Sequence, residues 1–238
     1  MKRLAVIIPC KNEALRIDKN AFIQAVEKWP WISFCFIDDG SDDNTAEVLA
    51  HMTNLSPAIH AIYLPKNVGK AEAVRTGALY LLENTTAEYI GFWDADLSTP
   101  LSEIPAFMRH FETGGYTEIV IGSRWPHLGA DINRSTGRGI AGALAKAFIR
   151  KLLKVHVSDT QCGAKIFSRS IAEKVFKKPF QTRWLFDVEI LGRLGSKIST
   201  VVREHPLSSW YDVPGTKLGV RAILEIVRLP IILRSCVL

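Results

Sequence analysis

The sequence predicts an α/β fold: a single domain on a mostly parallel central sheet, with helices on both faces. Three observations predict it. Short, continuously apolar runs recur through the first half, each is followed by a stretch of helical periodicity, and the connections are brief. Polar residues gather directly after the apolar runs, at Lys11-Asn12-Glu13, Asp38-Asp39, Lys66-Asn67 and Asp94-Ala95-Asp96. In open α/β sheets that carboxyl edge is where ligands bind.

Leu4–Pro9 reads as the first strand. Met1-Lys2-Arg3 ahead of it mimics a signal peptide, but the apolar stretch is too short and Lys11-Asn12-Glu13 follows with no cleavage site. Ala14–Trp29 has helical spacing, and Ile32–Ile37 is a second buried strand. Asp43 or Asn44 is placed to cap a helix through His51, and Ile59–Leu64 is a third strand. Gly69–Leu82 reads as helix and Tyr89–Trp93 as a fourth strand. Pro100 with Ser102 opens a helix to about Phe111, and Glu118–Ile121 is a fifth strand. Beyond it the pattern is less regular. Trp125–Ser135 reads as a mobile loop, Gly139–Leu153 as helix, Gln161–Phe167 as strand and Trp184–Leu194 as helix. Ile198–Arg203 reads as strand and Gly219–Leu233 as a terminal helix.

The 238 residues contain no linker, repeat or low-complexity segment, so residues 1–238 read as one domain. Hydrophobic residues at 47% and charged residues at 23% exclude a disordered chain. Mean hydropathy is +0.10, and no uncharged apolar run approaches a membrane span. The four cysteines, Cys10, Cys35, Cys162 and Cys236, lie far apart with no Cys-x-x-Cys pair. That argues against a zinc ribbon or a disulfide framework and points to a reducing compartment.

The net charge of +6 is unevenly spread. Residues 1–123 hold 10 Lys and Arg against 16 Asp and Glu, whereas residues 124–183 hold 13 against 3. An acidic half joined to a basic middle suits a protein that holds a cation in one part and anionic groups with the other. It does not suit a nucleic-acid-binding module, for which no basic–aromatic interleaving is visible either.

Asp94-Ala95-Asp96 is the sharpest chemical signal. Two carboxylates at a strand end can face a hard divalent cation if the chain turns there, with phosphate oxygens completing the shell. Carboxylates at such a position also cap helices, and that structural alternative stands beside the metal reading. Asp38 or Asp39 can accept from a nucleobase imide or ribose hydroxyls, while Asp42 and Asp43 read as a solvated turn with a helix cap. No Gly-x-Gly-x-x-Gly follows the first strand, and Gly69-Lys70 lacks the full phosphate-loop pattern. A dinucleotide cofactor and an ATP-hydrolysing loop are therefore disfavoured.

Taken together, Pro9-Cys10-Lys11-Asn12-Glu13, Asp38-Asp39-Gly40-Ser41, Asn67-Val68-Gly69-Lys70, Asp94-Ala95-Asp96 and Gly122-Ser123-Arg124 resemble the ordered signature of family 2 glycosyltransferases with the GT-A fold. Asp159–Phe167 and Arg183-Trp184-Leu185-Phe186-Asp187-Val188-Glu189 narrow the resemblance to the dolichyl-phosphate β-glucosyltransferase and polyprenyl-phosphate glycosyltransferase branch. Arg134-Ser135-x-x-Arg138 and Gly215-Thr216-Lys217-Leu218 fit the same branch.

The resemblance implies roles. Pro9, Glu13 and Asp39 would hold the nucleoside of a sugar nucleotide, with Lys70 assisting. Asp94 and Asp96 would bind Mg²⁺ or Mn²⁺ bridging the diphosphate, Asp96 being catalytic. Gln161, Lys165, Asp187 and Glu189 would sit near sugar and acceptor, with Asp187 the candidate base if the acceptor is a hydroxyl. Residues 1–123 would then form a Rossmann-like nucleotide-binding half that holds donor and metal, and 124–217 the acceptor half. Arg124, Arg134 and Arg138 offer planar forks that suit an acceptor phosphate.

The implied partners are a nucleotide-sugar donor, with UDP-hexose ahead of GDP-mannose, and a lipid phosphate at the cytoplasmic membrane surface. The implied activity is inverting hexosyl transfer, by a cytoplasmic protein peripheral on the inner face of the membrane; a soluble saccharide or protein hydroxyl is the alternative acceptor. Two departures matter: Ser98 stands where mannose synthases have Gln, which leaves the metal shell open, and Ala164 replaces an aromatic residue, which leaves the sugar open. Eukaryotic members carry an N-terminal anchor that this sequence lacks, which points to a prokaryotic protein. Residues 218–238 are apolar with scattered Arg and Glu, suiting an interfacial helix or one packed on the domain or on a second subunit, and Pro230 is expected to kink or end it.

Overall fold

The computed structural model describes residues 2–113, 115–133, 157–212 and 220–236. Strands β1 (Leu4–Cys10), β2 (Ile32–Asp38), β3 (Ile59–Tyr63), β4 (Tyr89–Trp93), β5 (Ile119–Ser123), β7 (Ala164–Ser168) and β8 (Val202–Pro206) form one sheet in the order β3-β2-β1-β4-β7-β5-β8. All neighbours run parallel except β7, which pairs antiparallel with both β4 and β5. The mostly parallel sheet is therefore as the sequence predicts. Strands β1, β2 and β4 are apolar along nearly their whole length because helices cover both faces. The order turns back between β1 and β4, so the chain leaves these two adjacent strands in opposite directions. A crevice opens at their carboxyl ends.

Helices α1 (Lys19–Lys28), α2 (Thr45–Leu55), α3 (Lys70–Asn84) and α4 (Ile104–Arg109) belong to the first half. Helix α1 starts later than the periodicity predicts. Arg16 and Ile17 turn back onto the Glu13 carbonyl, and Asp18 then caps the helix by accepting from Ala21 N–H at 3.1 Å. Helix α2 runs beyond His51 to Leu55.

The second half departs more from the pattern. The stretch from Trp125 contains a short strand, β6 (Asp131–Asn133), which pairs with β9 (Ser209–Tyr211) in a separate two-stranded sheet. A further helix, α5 (Arg169–Val175), follows β7 and is capped by Ser168. Helix α6 (Phe186–Leu194) lies within the predicted 184–194. The expected strand at 198–203 divides: α7 (Ile198–Val201) uses its apolar residues before the chain extends into β8. Helix α8 (Val220–Cys236) continues through Pro230 instead of ending there. Proline removes only one backbone donor, and buried Leu229 and Ile232 anchor the helix on either side of it. The expected helix at 139–153 lies outside the described residues, as do Arg134, Arg138 and the 215–218 motif.

Candidate active site

A cleft of about 550 Å³ lies at the carboxyl ends of β1, β2, β3 and β4. Pro9, Glu13, Asp39, Lys70, Asp94 and Asp96, all singled out from the sequence, line it.

Asp39 follows β2 and is almost fully buried. Its two oxygens accept from Val68 N–H at 2.6 Å and Gly69 N–H at 2.9 Å, which ties the end of β2 to the start of α3. Gly69 has φ +95°, and a Cβ there would lie 2.6 Å from Arg183 Nε. Only glycine lets the guanidinium lie over this turn.

Lys70 opens α3 and places Nζ 2.5 Å from Asp94 Oδ1. Burial works against the Lys70 charge, but Asp94, Asp187 and Asp96 outweigh it and raise its pKa. Asp94 itself is pinned through its N–H to the Gly163 carbonyl at 3.0 Å, and a Cβ on Gly163 would fall 1.8 Å from Asp94 Oδ2. The chain does turn after Asp94: Leu97 has φ 51° and donates to the Asp94 carbonyl, while Asp96 accepts from Ser98 N–H at 3.0 Å. Both aspartates thereby line the same cleft.

Glu13 is forked onto Arg16, with Nε to Oε2 at 2.7 Å and a second bond from Nη2. Burial raises the Glu13 pKa; Arg16 opposes this, and Asp96 and Asp94 add to it.

Deeper in the domain, Lys165 Nζ donates to Asp187 Oδ1 at 2.5 Å and to the Cys162 carbonyl at 2.7 Å. Burial raises the Asp187 pKa against the pull of Lys165 and Lys70. Gln161 is half-buried in the turn before β7. None of these three residues, nor Glu189, is among those lining the cleft.

Two predicted substrate contacts are already committed elsewhere. Arg124 closes its fork on Asp159, with Nε to Oδ2 at 2.6 Å and Nη2 to Oδ1 at 2.7 Å, and lies over the Trp210 ring. Its fork is thus engaged by a buried carboxylate. Glu189 is fully buried, pairs with Arg193 at 2.8 Å and accepts from the backbone of Gln181 and Thr182. Its carboxylate organises the loop before α6.

Sequence reasoning missed Arg16, Arg183, Trp184 and Glu225, all of which line the cleft, and gave no role to Asn67, which lines it too. Arg183 and Trp184 stand in a motif already singled out, so their position there was the available signal. Glu225 carried no signal for the cleft, because only the long-range packing of α8 brings it there.

Comparison with known proteins places this geometry in context. The family model described as glycosyl transferase family 2 matches residues 5–176. A dolichyl-phosphate beta-glucosyltransferase of Dictyostelium discoideum is 32% identical, the match covering 90% of this chain and 68% of that protein. One of the Trichomonas vaginalis enzymes of the same description is 31% identical over 92% of this chain and 67% of its own length. Among solved structures, glucosyl-3-phosphoglycerate synthase from Mycobacterium tuberculosis, crystallised with Mn²⁺, UDP-glucose and phosphoglyceric acid, superposes with a TM-score of 0.68. It covers 98% of this chain and 79% of that one at 18% identity, a likeness of fold.

Proposed function

The chain belongs to glycosyl transferase family 2, and from that membership we propose that it moves glucose from a nucleoside-diphosphate sugar to a polyprenyl or dolichyl phosphate, with inversion at the anomeric carbon. The observation that carries the lipid-phosphate reading is the similarity to dolichyl-phosphate beta-glucosyltransferases across nine-tenths of the chain. The cleft at the β1/β4 reversal supports the donor reading, because it brings Glu13 and Asp39 beside Asp94 and Asp96.

Asp39 and Glu13, with Pro9, take the nucleoside end. The donor set beside them fits a hard cation: Asp94 and Asp96 offer oxygen ligands at one tight turn, and Gly163 leaves room at Asp94. Among the described residues no cluster of three His, Cys, Asp or Glu side chains forms a metal cage, so water and diphosphate oxygens would fill most of the shell. Asp94 and Asp96 would hold Mg²⁺ or Mn²⁺, which when bound neutralises the negative charge that builds on the departing diphosphate. Lys70 adds a cation on the same side, held by Asp94.

The acceptor needs little activation. A phosphate monoester's second pKa is about 6, so its oxygen is anionic near neutral pH. That oxygen forms the new bond to the anomeric carbon as the bond to the nucleoside diphosphate breaks, and no proton has to be removed. Asp187, engaged by Lys165, is then not required as a base. The basic segment around Arg134 and Arg138 supplies the acceptor's counter-charge, whereas Arg124 supports the site through Asp159.

No described helix is long and apolar enough to cross a membrane. Helix α8 turns Ile226, Leu229 and Leu233 onto α6 and leaves Val227 and Ile231 at 70% and 73% exposure, next to exposed Arg228 and Arg234. This outer face suits the anionic inner surface of the membrane, where a lipid phosphate is presented.

The test is a screen of sugar nucleotides against short-chain polyprenyl phosphate with Mg²⁺ or Mn²⁺. UDP-glucose should be the best donor. Preference for GDP-mannose would reassign the sugar, and indifference to the lipid would favour a hydroxyl acceptor.

A further inference from the structure

Helix α8 reaches the cleft from outside the sheet. The Glu225 carboxylate accepts three consecutive main-chain N–H groups: Arg183 at 2.9 Å through Oε1, and Trp184 and Leu185 at 3.1 Å each through Oε2. These groups lead into α6, whose own cap residue Leu185 supplies no side-chain bond. A carboxylate there satisfies orphan donors and complements the positive end of the helix. Leu229, packed with Leu185 and Val188, seats α8 against the same segment.

From the held segment, contacts run on to α3. The Arg183 carbonyl accepts from Ala71 N–H at 3.2 Å. Its guanidinium donates to Asn67 Oδ1 at 2.7 Å and lies over Gly69. Lys70, within this bracketed turn, reaches Asp94 at 2.5 Å. The chain of contacts is continuous from the C-terminal helix to the Asp94-Ala95-Asp96 turn.

We propose that Glu225 is a positioning residue for the transfer reaction: by holding Arg183–Leu185 it fixes the start of α3, and with it Lys70 against Asp94. The C-terminal helix is then a working part of the donor site as well as an outer surface. This rests on the donor-site reading given above, since it is nucleotide affinity that the clamp improves.

The experiment compares the full chain with Glu225→Gln, which keeps the side chain's shape but leaves one carbonyl oxygen for three N–H donors. Amide hydrogen exchange is read beside calorimetric binding of UDP with Mn²⁺. Losing one or two charge-assisted bonds should speed exchange at Arg183–Leu185 and at Ala71 roughly tenfold, and weaken UDP roughly 3- to 10-fold. Exchange in β1 and β5 should not change, and Glu225→Asp should recover part of both effects. Unchanged exchange at Ala71, or UDP affinity equal to that of the unaltered chain, would overturn the proposal. If the unaltered chain failed to bind UDP, the donor reading would fall, and exchange at Ala71 would still decide whether the clamp reaches α3.

Discussion

Lys165 Nζ stands 2.5 Å from Asp187 Oδ1 with the two side chains only 1% and 8% exposed. The lysine comes from the antiparallel strand inserted between β4 and β5, and the aspartate from the first turn of α6. The pair locks the strand that carries the Gly163 turn to the helix that Glu225 caps. It therefore braces the floor behind Asp94 from two directions.

Breaking one side of such a pair leaves an uncompensated buried charge, which costs about 3–5 kcal/mol. Lys165→Met should lower stability by that amount in urea denaturation. Adding Asp187→Asn to it should restore part of the loss, because the stranded carboxylate is then gone. Fully additive losses would show that the two side chains do not act as a pair.

Asp96→Asn should nearly abolish transfer while leaving the thermal midpoint within a few degrees of the unaltered chain. The side chain's one described bond is from Ser98 N–H, which an Asn oxygen can also accept. Chelation should silence the unaltered chain in the same way. Full activity of the variant, or of metal-stripped protein, would remove Asp96 from the chemistry.

The first half was legible because its physics is local. Each strand except the edge strand β3 is a buried run, and each polar cluster follows directly at the carboxyl edge. The six cleft residues named from the sequence accordingly lie together. What the sequence hid depends on partners distant along the chain. Arg124 reads as an open phosphate fork until Asp159, 35 residues on, closes it. Glu189 sits in the same motif as Asp187, but two positions along a helix turn a side chain to a different face, and it meets Arg193 instead. Ile198–Val201 has strand-forming residues, yet they pack as a short helix under tertiary constraint. Glu225 was legible only as a charge on the polar face of an apolar helix, with nothing to say that it meets the cleft.

A second polar network lies away from the cleft and should set acid sensitivity. His205 Nε2 is 3.1 Å from Glu103 Oε2, and its Nδ1 is 3.1 Å from His110 Nε2. Burial lowers the His110 pKa below its ordinary 6.5, and the charges of His205, Arg109 and Arg203 add to this. A base whose folded pKa is depressed binds fewer protons when folded, so its contribution is full above about 6.5 and is lost as pH falls through the folded value. The thermal midpoint should drop on acidification from pH 7.5 towards 5, and His110→Gln should show a shallower decline. Parallel curves for the two proteins would contradict the assignment.

The outer face of α8 is best tested without truncation, since cutting at 219 would also strip Glu225 and Leu229 from α6. Ile231→Glu places a charge on an exposed apolar position and adds negative charge near Arg228 and Arg234. It should weaken binding to anionic liposomes several-fold with no change in the melting midpoint. Equal liposome binding would mean that this face does not meet the membrane.

The most direct test compares two acceptors that differ only in the phosphate: a short-chain polyprenyl phosphate and the corresponding polyprenol, each with UDP-glucose and Mn²⁺. A phosphate acceptor supplies its own anionic nucleophile, so glucose should pass to polyprenyl phosphate and not to the alcohol. Asp187→Asn should then retain a measurable share of that rate, in contrast to Asp96→Asn. Equal transfer to the alcohol would contradict transfer to a lipid phosphate and point to a hydroxyl acceptor that needs a base.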